Sequence, residues 1–356
     1  MELQKSGRFG SVVITLLLIF FASIAGKVMA SGSDTVTAVA KLLPTMQIGS
    51  FTGAKNVEIV YGVRELESER GAVIIVNGRN ETFVKYAHVI AELSDLGFSV
   101  YTLDHRGQGF SGRQLSDPQK GHVDTYDDYI ADFDYFIKNI VNSKPHKVKL
   151  VLGHSMGGTI ALLYELRYPG SFSGIAMSAP MLGFSTAPWP FFLVPPLLSV
   201  YEMLGLERSY VVGGGKFKLE PYSPDNNLTS DEAHYTRNYQ MMLDYPQLQL
   251  GAPTCAWVKE SLTAIREIKD GAEKFKLPLL VLQAGDDRVV NNCAEERFCR
   301  KVGENCQLVV VSGSQHEILM EKPVIRENAE KIITDFLLRL SSQEVTIQRK
   351  LNSTEY

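Results

Sequence analysis

Apolar positions along most of the chain follow two alternating patterns. Short continuous apolar runs, such as residues 72–76, predict strands that are buried on both faces. Segments with helical spacing lie between such runs, and residues 126–141 place Tyr129 and Phe133 on one side. This order predicts an α/β fold, an open and mostly parallel sheet with helices on both faces. The predicted strands cover residues 57–63, 72–76, 98–103, 149–152, 174–178, 279–283 and 308–311, and the predicted helices cover residues 84–96, 126–141, 159–168, 294–302 and 324–340.

The alternation fails between residues 181 and 262. An apolar and aromatic stretch at 189–198 is broken by prolines, and loops rich in glycine and polar residues follow it. Residues 235–242 and 254–265 regain helical spacing, so we predict an inserted helical lid over the sheet. The predicted boundaries are a first core part at 31–182 that opens with a leader to about residue 50, the lid at 183–262, a second core part at 263–341 and a polar tail at 342–356.

The N-terminus has the pattern of a targeting segment. Basic residues precede an uncharged apolar run at 12–25, and Val28 and Ala30 fit the small-residue rule for cleavage after Ala30. The run is shorter than the roughly 20 residues that a membrane span requires. Residues 1–30 therefore predict a secretory signal peptide, with an uncleaved anchor as the alternative, and a periplasmic or extracellular protein.

The composition and net charge of the chain indicate its class and limit the partners that we expect. The chain has 356 residues, of which 45% are hydrophobic and 21% are charged, so it can bury a large core and does not resemble a disordered protein. Its formal net charge is only -4, which gives no reason to expect nucleic acid as a partner.

Four cysteines lie in the last third of the chain. In an oxidising compartment they permit two disulfides, and none of their spacings suggests a zinc site. Cys299 and Cys306 can approach across a helix-to-strand turn, which leaves Cys255 and Cys293 to link the lid to the core. We predict these two pairs, with four buried free thiols as the alternative.

The sequence Gly153-His154-Ser155-Met156-Gly157 lies between an apolar strand and a segment with helical spacing. This context predicts a nucleophile elbow, in which a serine on a sharp turn raises its hydroxyl into a cleft. Gly153 and Gly157 are expected beside the turn because a Cβ atom there would clash with neighbouring backbone.

A serine nucleophile needs a base and an acid, which in this arrangement follow it in the order acid, then histidine. His316 follows the last predicted strand and is our predicted base, whereas His234 falls inside the lid. The acid is expected after the preceding strand, where Asp286 and Asp287 stand side by side. Position alone does not separate these two aspartates.

An oxyanion hole requires two backbone N–H groups. We expect one from Met156 and the other from the loop after the strand at 72–76, where Gly78 permits close approach and Arg79 offers its N–H. Three other histidines near predicted turns are interpreted as structural: His105, His122 and His154.

These motifs together resemble one branch of a known family. The motifs are Gly-His-Ser-Met-Gly-Gly, Asp-His-Arg-Gly-Gln-Gly-x-Ser-Gly-Arg at 104–113, Gln-Ala-Gly-Asp-Asp-Arg-Val-Val at 283–290 and Gln-His-Glu-Ile-Leu-x-Glu-Lys at 315–322. They resemble the bacterial lysophospholipase and monoacylglycerol lipase branch of the α/β-hydrolases, over residues 57 to about 340. The Asp-Arg-Val match implies that Asp287 is the acid. The monoglyceride lipases begin the oxyanion loop with His-Gly, whereas this chain has Asn77-Gly78-Arg79, closer to the lysophospholipases.

The resemblance implies a serine hydrolase that cleaves the carboxylic ester of a single-chain lipid, a lysophospholipid or a monoacylglycerol, through an acyl-enzyme. Ser155 would attack, His316 would take its proton and Asp287 would orient the imidazole, without a metal or organic cofactor. The lid would accept the acyl chain and could touch a membrane surface. The alternatives are a short-chain carboxylesterase and a catalytically silent lipid-binding or small-molecule-binding relative, against which the complete triad argues.

Overall fold

A computed structural model of the chain describes residues 32–186 and 190–352. The predicted signal peptide or anchor at residues 1–30 lies outside these residues. Within them, none of the helices combines the length and the apolar character needed to cross a membrane.

The described residues form an eight-stranded sheet with the strand order β1-β2-β4-β3-β5-β6-β7-β8. Strand β2 is antiparallel to both of its neighbours, β1 and β4. The other six strands, β3 to β8, run parallel to one another. The strands are β1 (Gln47–Thr52), β2 (Glu58–Arg64), β3 (Gly71–Val76), β4 (Phe98–Leu103), β5 (Lys149–His154), β6 (Gly174–Ser178), β7 (Leu279–Ala284) and β8 (Cys306–Val311). Every residue of β3, β4, β6 and β7 is buried, as expected for strands covered on both faces.

Helices surround this sheet, so the predicted α/β architecture with a mostly parallel sheet is confirmed. The helices are α1 (Gly32–Leu42), α2 (Ala87–Asp95), α3 (Tyr126–Asn139), α4 (Met156–Arg167), α5 (Val194–Met203), α6 (Glu232–Asp244), α7 (Cys255–Asp270), α8 (Asn292–Val302) and α9 (Pro323–Asn352). The parallel strands bring their carboxyl ends to one edge of the sheet, where ligands of open α/β folds bind.

Two elements near the N-terminus were absent from the sequence prediction. The expected leader at 31–50 contains helix α1 and most of strand β1, which pairs antiparallel with β2. Strand β1 lies at the sheet edge and only Phe51 within it is buried. An edge strand with so few buried positions does not produce the apolar run that reveals a central strand.

The lid and the C-terminus differ from their predicted outlines. Two of the three prolines in the predicted break, Pro195 and Pro196, stand in the first turn of helix α5, where a missing N–H costs no hydrogen bond. Helix α7 continues past the expected boundary at residue 262 and joins the lid to the core without interruption. Helix α9 runs to Asn352, into the segment predicted as a polar tail, because its many polar residues are good helix formers.

The cysteine prediction is half right. Cys299 and Cys306 form a disulfide with a Cα–Cα distance of 5.1 Å, which joins the end of α8 to β8. The predicted Cys255–Cys293 pair is wrong, because both thiols are free. Cys255 is buried inside the lid with its Sγ atom 3.9 Å from the carbonyl oxygen of Tyr210, whereas Cys293 is exposed on the first turn of α8.

Candidate functional site

The turn between β5 and α4 has the shape predicted for a nucleophile elbow. Ser155 adopts φ 50° and ψ −118°, a conformation that costs energy for a residue with a side chain. A Cβ atom on Gly157 would lie 2.0 Å from the carbonyl oxygen of Val76, and one on Gly153 would lie 2.9 Å from the Cα atom of Gly158. Both glycines are therefore required by close backbone contacts, and the turn holds the Ser155 hydroxyl at the edge of the sheet.

The structure brings the predicted serine, histidine and aspartate together. His316 places its Nε2 atom 3.0 Å from the Oγ atom of Ser155 and its Nδ1 atom 2.8 Å from the Oδ2 atom of Asp287. The other carboxylate oxygen of Asp287 accepts the backbone N–H groups of Val289 and Val290. The neighbouring Asp286 is exposed and does not contact the imidazole. Geometry thus agrees with the choice of Asp287 over Asp286.

The Asp287 carboxylate is suited to hold the imidazole in one tautomer. Burial opposes its ionisation, but the hydrogen bond and charge interaction with His316, together with the N–H groups of Val289 and Val290, outweigh burial and lower the pKa of Asp287. An ionised carboxylate at this position keeps a proton on Nδ1 of His316. The Nε2 atom is then free to accept the proton of the Ser155 hydroxyl.

Both predicted oxyanion donors lie beside the elbow. Met156 is the first residue of α4, so its N–H has no acceptor within the helix. The loop after β3 passes so close to the elbow that a Cβ atom on Gly78 would lie 2.9 Å from the His154 ring and 3.3 Å from the Cβ atom of Ser155. Only glycine fits this approach.

Among residues 78–80 of the loop after β3, one backbone N–H group has no acceptor in the described part of the chain. The N–H of Gly78 donates to Glu81 at 2.6 Å, and the N–H of Asn80 donates to the side chain of Gln108 at 3.2 Å. Between them, Arg79 has the one N–H group of the three that no described residue accepts. Gln108 also donates to the carbonyl oxygen of Gly78 at 2.6 Å and so braces the loop.

Asp104, which directly follows β4, is the second brace of this loop. Its carboxylate is buried and accepts four hydrogen bonds, from the Asn77 side chain, the Thr82 hydroxyl and the backbone N–H groups of Phe83 and Phe110. The Asp-His-Arg-Gly-Gln-Gly motif thus supports the oxyanion loop through Asp104 and Gln108. These roles of Asp104 and Gln108 were not predicted from the sequence, where the motif supported only the family resemblance.

A buried ion cluster connects the oxyanion loop to the histidine loop. The Nζ atom of Lys85 lies 2.6 Å from a carboxylate oxygen of both Glu81 and Glu317. Burial opposes each charge, yet Lys85 lowers the pKa of Glu81 to about 2 and the two carboxylates raise the pKa of Lys85. Glu317 directly follows His316, so the cluster holds both halves of the site in register. In the sequence, Glu81 and Lys85 stand four positions apart in a segment with buried apolar neighbours. This spacing was the available signal for an ion pair.

His105, His122 and His154 occupy structural positions, as expected. His154 contacts the carbonyl oxygen of Ser178 at 3.0 Å, and burial lowers its pKa. His122 contacts Thr254 and Asp124, and His105 is buried at the end of β4. His234 lies in lid helix α6 and contacts the carbonyl oxygen of Met320, whereas the Ser155 hydroxyl is hydrogen-bonded to His316.

A cavity of about 370 Å³ opens at Ser155. The lid contributes most of its walls, and the lining is largely apolar. Six of the lining residues are Phe184, Leu193, Leu197, Leu198, Trp257 and Val289. Among the described lining residues none is acidic, and Arg79 is the one that carries a charge.

Two similar proteins have curated names. Lysophospholipase L2 of Escherichia coli strain K12 is 37% identical over 299 residues, which cover 82% of this chain and 87% of the relative. Monoacylglycerol lipase of Mycolicibacterium smegmatis is 29% identical over 277 residues, which cover 76% of this chain and 90% of the relative.

Solved structures share the fold. A carboxyl esterase from Bacillus coagulans aligns with a TM-score of 0.69 at 20% identity and covers 83% of this chain and 99% of its own. A soluble variant of the monoglyceride lipase from Saccharomyces cerevisiae aligns with a TM-score of 0.65 at 18% identity, covering 89% and 98%. The family model Hydrolase_4, described as serine aminopeptidase S33, matches residues 67–323. The resemblance found in the motifs is confirmed: the chain belongs to the Hydrolase_4 family and is a hydrolytic enzyme of the α/β-hydrolase fold.

Proposed function

We propose that the protein hydrolyses the carboxylic ester of single-chain lipids, with lysophospholipids or monoacylglycerols as substrates. One observation carries this proposal: the hydrogen-bonded chain from Asp287 through His316 to Ser155 ends at an apolar cavity. A nucleophile and an acyl-sized apolar space in contact are the minimum that lipid ester hydrolysis requires.

The reaction follows from the positions of the side chains. His316 takes the proton of the Ser155 hydroxyl through Nε2 while the oxygen attacks the ester carbonyl. The N–H groups of Met156 and Arg79 stabilise the negative charge of the tetrahedral intermediate. His316 then protonates the leaving alcohol, which leaves an acyl group on Ser155. A water molecule activated by the same imidazole releases the fatty acid and restores the serine.

The names of the similar proteins and the lining of the cavity favour a lipid ester over a peptide. The curated relatives carry the names lysophospholipase and monoacylglycerol lipase. The family description names an aminopeptidase, an activity for which a carboxylate near the nucleophile would bind the substrate's amino terminus. Among the described residues that line the cavity at Ser155, no side chain is a carboxylate.

We further propose that the lid docks on a membrane surface and that residues 1–30 direct export. Large apolar side chains of the lid face solvent, with Phe192 73% exposed, Met203 79% exposed and Leu204 65% exposed. Leu193 and Leu197 are exposed on the same segment and also line the cavity. A continuous apolar path from a lipid surface to Ser155 would let a single acyl chain enter without crossing water.

A substrate panel tests the proposed activity. Purified protein is supplied with lysophospholipids, monoacylglycerols, short-chain esters and aminoacyl anilides, and the released product is measured. We expect the highest kcat/KM on the single-chain lipids. Faster turnover of short-chain esters would favour a general carboxylesterase, turnover of the anilides would favour the aminopeptidase, and no turnover of any of them would favour a silent binding protein.

A further inference from the structure

The guanidinium of Arg79 is a cation without an anion beside it. Its Nη2 atom donates to the carbonyl oxygen of Gly251 at 2.5 Å, and its Cζ atom lies 5.3 Å from the ring centroid of Trp257. Its Nε atom is buried and has no hydrogen-bond partner within the described part of the chain. Arg79 also lines the cavity that contains Ser155.

The surroundings of Arg79 leave this charge uncompensated. No carboxylate of the described residues lies within ion-pair distance of its guanidinium. Burial lowers the pKa of Arg79 to about 10, with Tyr129 and Tyr126 opposing the shift, so the side chain remains a cation at neutral pH. A buried charge and an unmade hydrogen bond are both costly, and such a group is stable when a ligand supplies the missing anion.

Two other arginines, Arg106 in the core and the partly buried Arg113, have partners within the protein for their charge or for most of their donors. The Nη1 atom of Arg106 also lacks a hydrogen bond, but it lies 3.7 Å from a carboxylate oxygen of Asp128. Arg106 is fully buried, and it pairs with Asp132 through two hydrogen bonds of 2.6 Å. Arg113 donates to the carbonyl oxygens of Ser111, Gly109, Pro118 and Gln247. Arg79 has neither a carboxylate nor such a set of carbonyls, and it lines the cavity at Ser155.

We propose that the Arg79 guanidinium binds the phosphate group of a lysophospholipid while the N–H of the same residue binds the oxyanion. This inference rests on the proposed ester hydrolysis at Ser155. About six covalent bonds separate the ester carbonyl carbon from phosphorus in a 1-acyl lysophospholipid, and about six separate the backbone nitrogen of an arginine from its Cζ atom. One residue can therefore reach both groups of one substrate molecule.

The binding chemistry fits phosphate in particular. A guanidinium forms short, charge-assisted hydrogen bonds with phosphate oxygens and presents several N–H donors in one plane. The glycerol hydroxyl groups of a monoacylglycerol carry no charge and would leave the Arg79 cation uncompensated. The side chain of Arg79 therefore makes the site selective for lysophospholipid over monoacylglycerol.

A ratio of two activities tests the selectivity. The values of kcat/KM for a lysophosphatidylcholine and for the monoacylglycerol with the same acyl chain are measured in wild type, Arg79→Gln and Arg79→Lys. We expect the ratio of lysophospholipid to monoacylglycerol activity to fall about 10- to 100-fold in Arg79→Gln, because a charge-assisted contact is lost, and to recover partly in Arg79→Lys. Both substitutions retain the backbone N–H of residue 79.

Arg113→Gln is the matched control. Arg113 is a partly buried arginine that also contacts a lid carbonyl, that of Gln247, but it donates to three further carbonyl oxygens and does not line the cavity at Ser155. We expect its substrate ratio to equal that of wild type even if its thermal midpoint falls. A parallel loss on both substrates in Arg79→Gln, with no change in their ratio, would show that the Arg79 side chain only positions the loop and would overturn the proposal.

A binding measurement separates this proposal from the proposed catalysis. Calorimetric titration of Ser155→Ala with sn-glycero-3-phosphocholine, with glycerol and with inorganic phosphate requires no turnover. We expect binding of the glycerophosphodiester, loss of that binding when Arg79→Gln is added, and no binding of glycerol. Binding of inorganic phosphate but not of the glycerophosphodiester would overturn the headgroup assignment. If wild type hydrolyses neither lipid, the proposed catalysis fails while this titration still decides the anion site.

Discussion

The carboxyl edge of the sheet and the lid enclose the same cavity with opposite surfaces. At the sheet edge, Ser155, His316 and Asp287 are held by hydrogen bonds, and the histidine and aspartate side chains are 6% and 0% exposed. In the lid, Phe192 and Met203 are 73% and 79% exposed. The polar contacts at the sheet edge thus hold the reactive atoms in position. The lid leaves apolar surface uncovered, which suits it to select and admit a substrate.

Removing the nucleophile should produce the largest effect and should concern the sheet edge alone. We expect Ser155→Ala to lower kcat on the preferred ester about a million-fold, because the residues of a serine triad act as a unit. The thermal midpoint should stay close to that of wild type, since the substitution removes neither a buried charge nor a large packed side chain. Activity within tenfold of wild type would refute the role of Ser155.

Two adjacent aspartates allow a sharper test of the same edge. We expect Asp287→Asn to lower kcat about a thousand-fold or more, because an amide no longer holds the productive tautomer of His316. Asp286→Asn is the control, since the exposed Asp286 side chain makes no contact with the imidazole. Steady-state kinetics of both variants decide the assignment, and an equal loss in the two would contradict it.

The two regions also differ in how far their structure follows from sequence. At the sheet edge, strands such as β3 are apolar throughout, and each predicted site residue follows its own strand. The structure accordingly brings Ser155, Asp287 and His316 together. In the lid, periodicity is interrupted by prolines and loops, so helix α5 and the continuity of helix α7 could not be predicted.

Ion pairs between residues far apart in the chain were a second feature that the sequence did not predict. Lys85 joins Glu81 to Glu317, which is more than 230 positions away in the sequence, and only the topology of the sheet brings them together. The Cys255–Cys293 pair failed for the same reason: spacing indicates which cysteines are near in sequence, but it does not give the direction of their side chains. The Cys299–Cys306 pair succeeded because one helix-to-strand turn determines it locally.

The disulfide gives a prediction of intermediate size for the core. Replacing both Cys299 and Cys306 with serine should lower the free energy of unfolding by about 2 kcal/mol, or about thirtyfold in the unfolding equilibrium, because the unfolded chain regains a short loop. Denaturant unfolding of protein isolated from an oxidising compartment measures this change. Cys293→Ser, on the same helix but free and exposed, should leave the unfolding free energy unchanged. Equal stability of the double variant and wild type would argue against the disulfide.

The smallest expected effect concerns the lid surface and tests whether exposed apolar residues there differ from those on the core. Phe192→Ser should weaken binding to phospholipid vesicles about tenfold, since a phenylalanine side chain contributes roughly 1.5–3 kcal/mol when it leaves water. Val324→Ser is the matched control, because Val324 is 85% exposed at the start of α9 in the core. It should leave vesicle binding unchanged.

Phe192 does not line the cavity at Ser155, so turnover of a water-soluble ester should stay within twofold of wild type. Equal vesicle binding by the two variants would mean that the exposed lid surface has no special affinity for lipid. The proposed docking of the lid on a membrane would then be wrong, while the proposed catalytic role of the sheet edge would be unaffected.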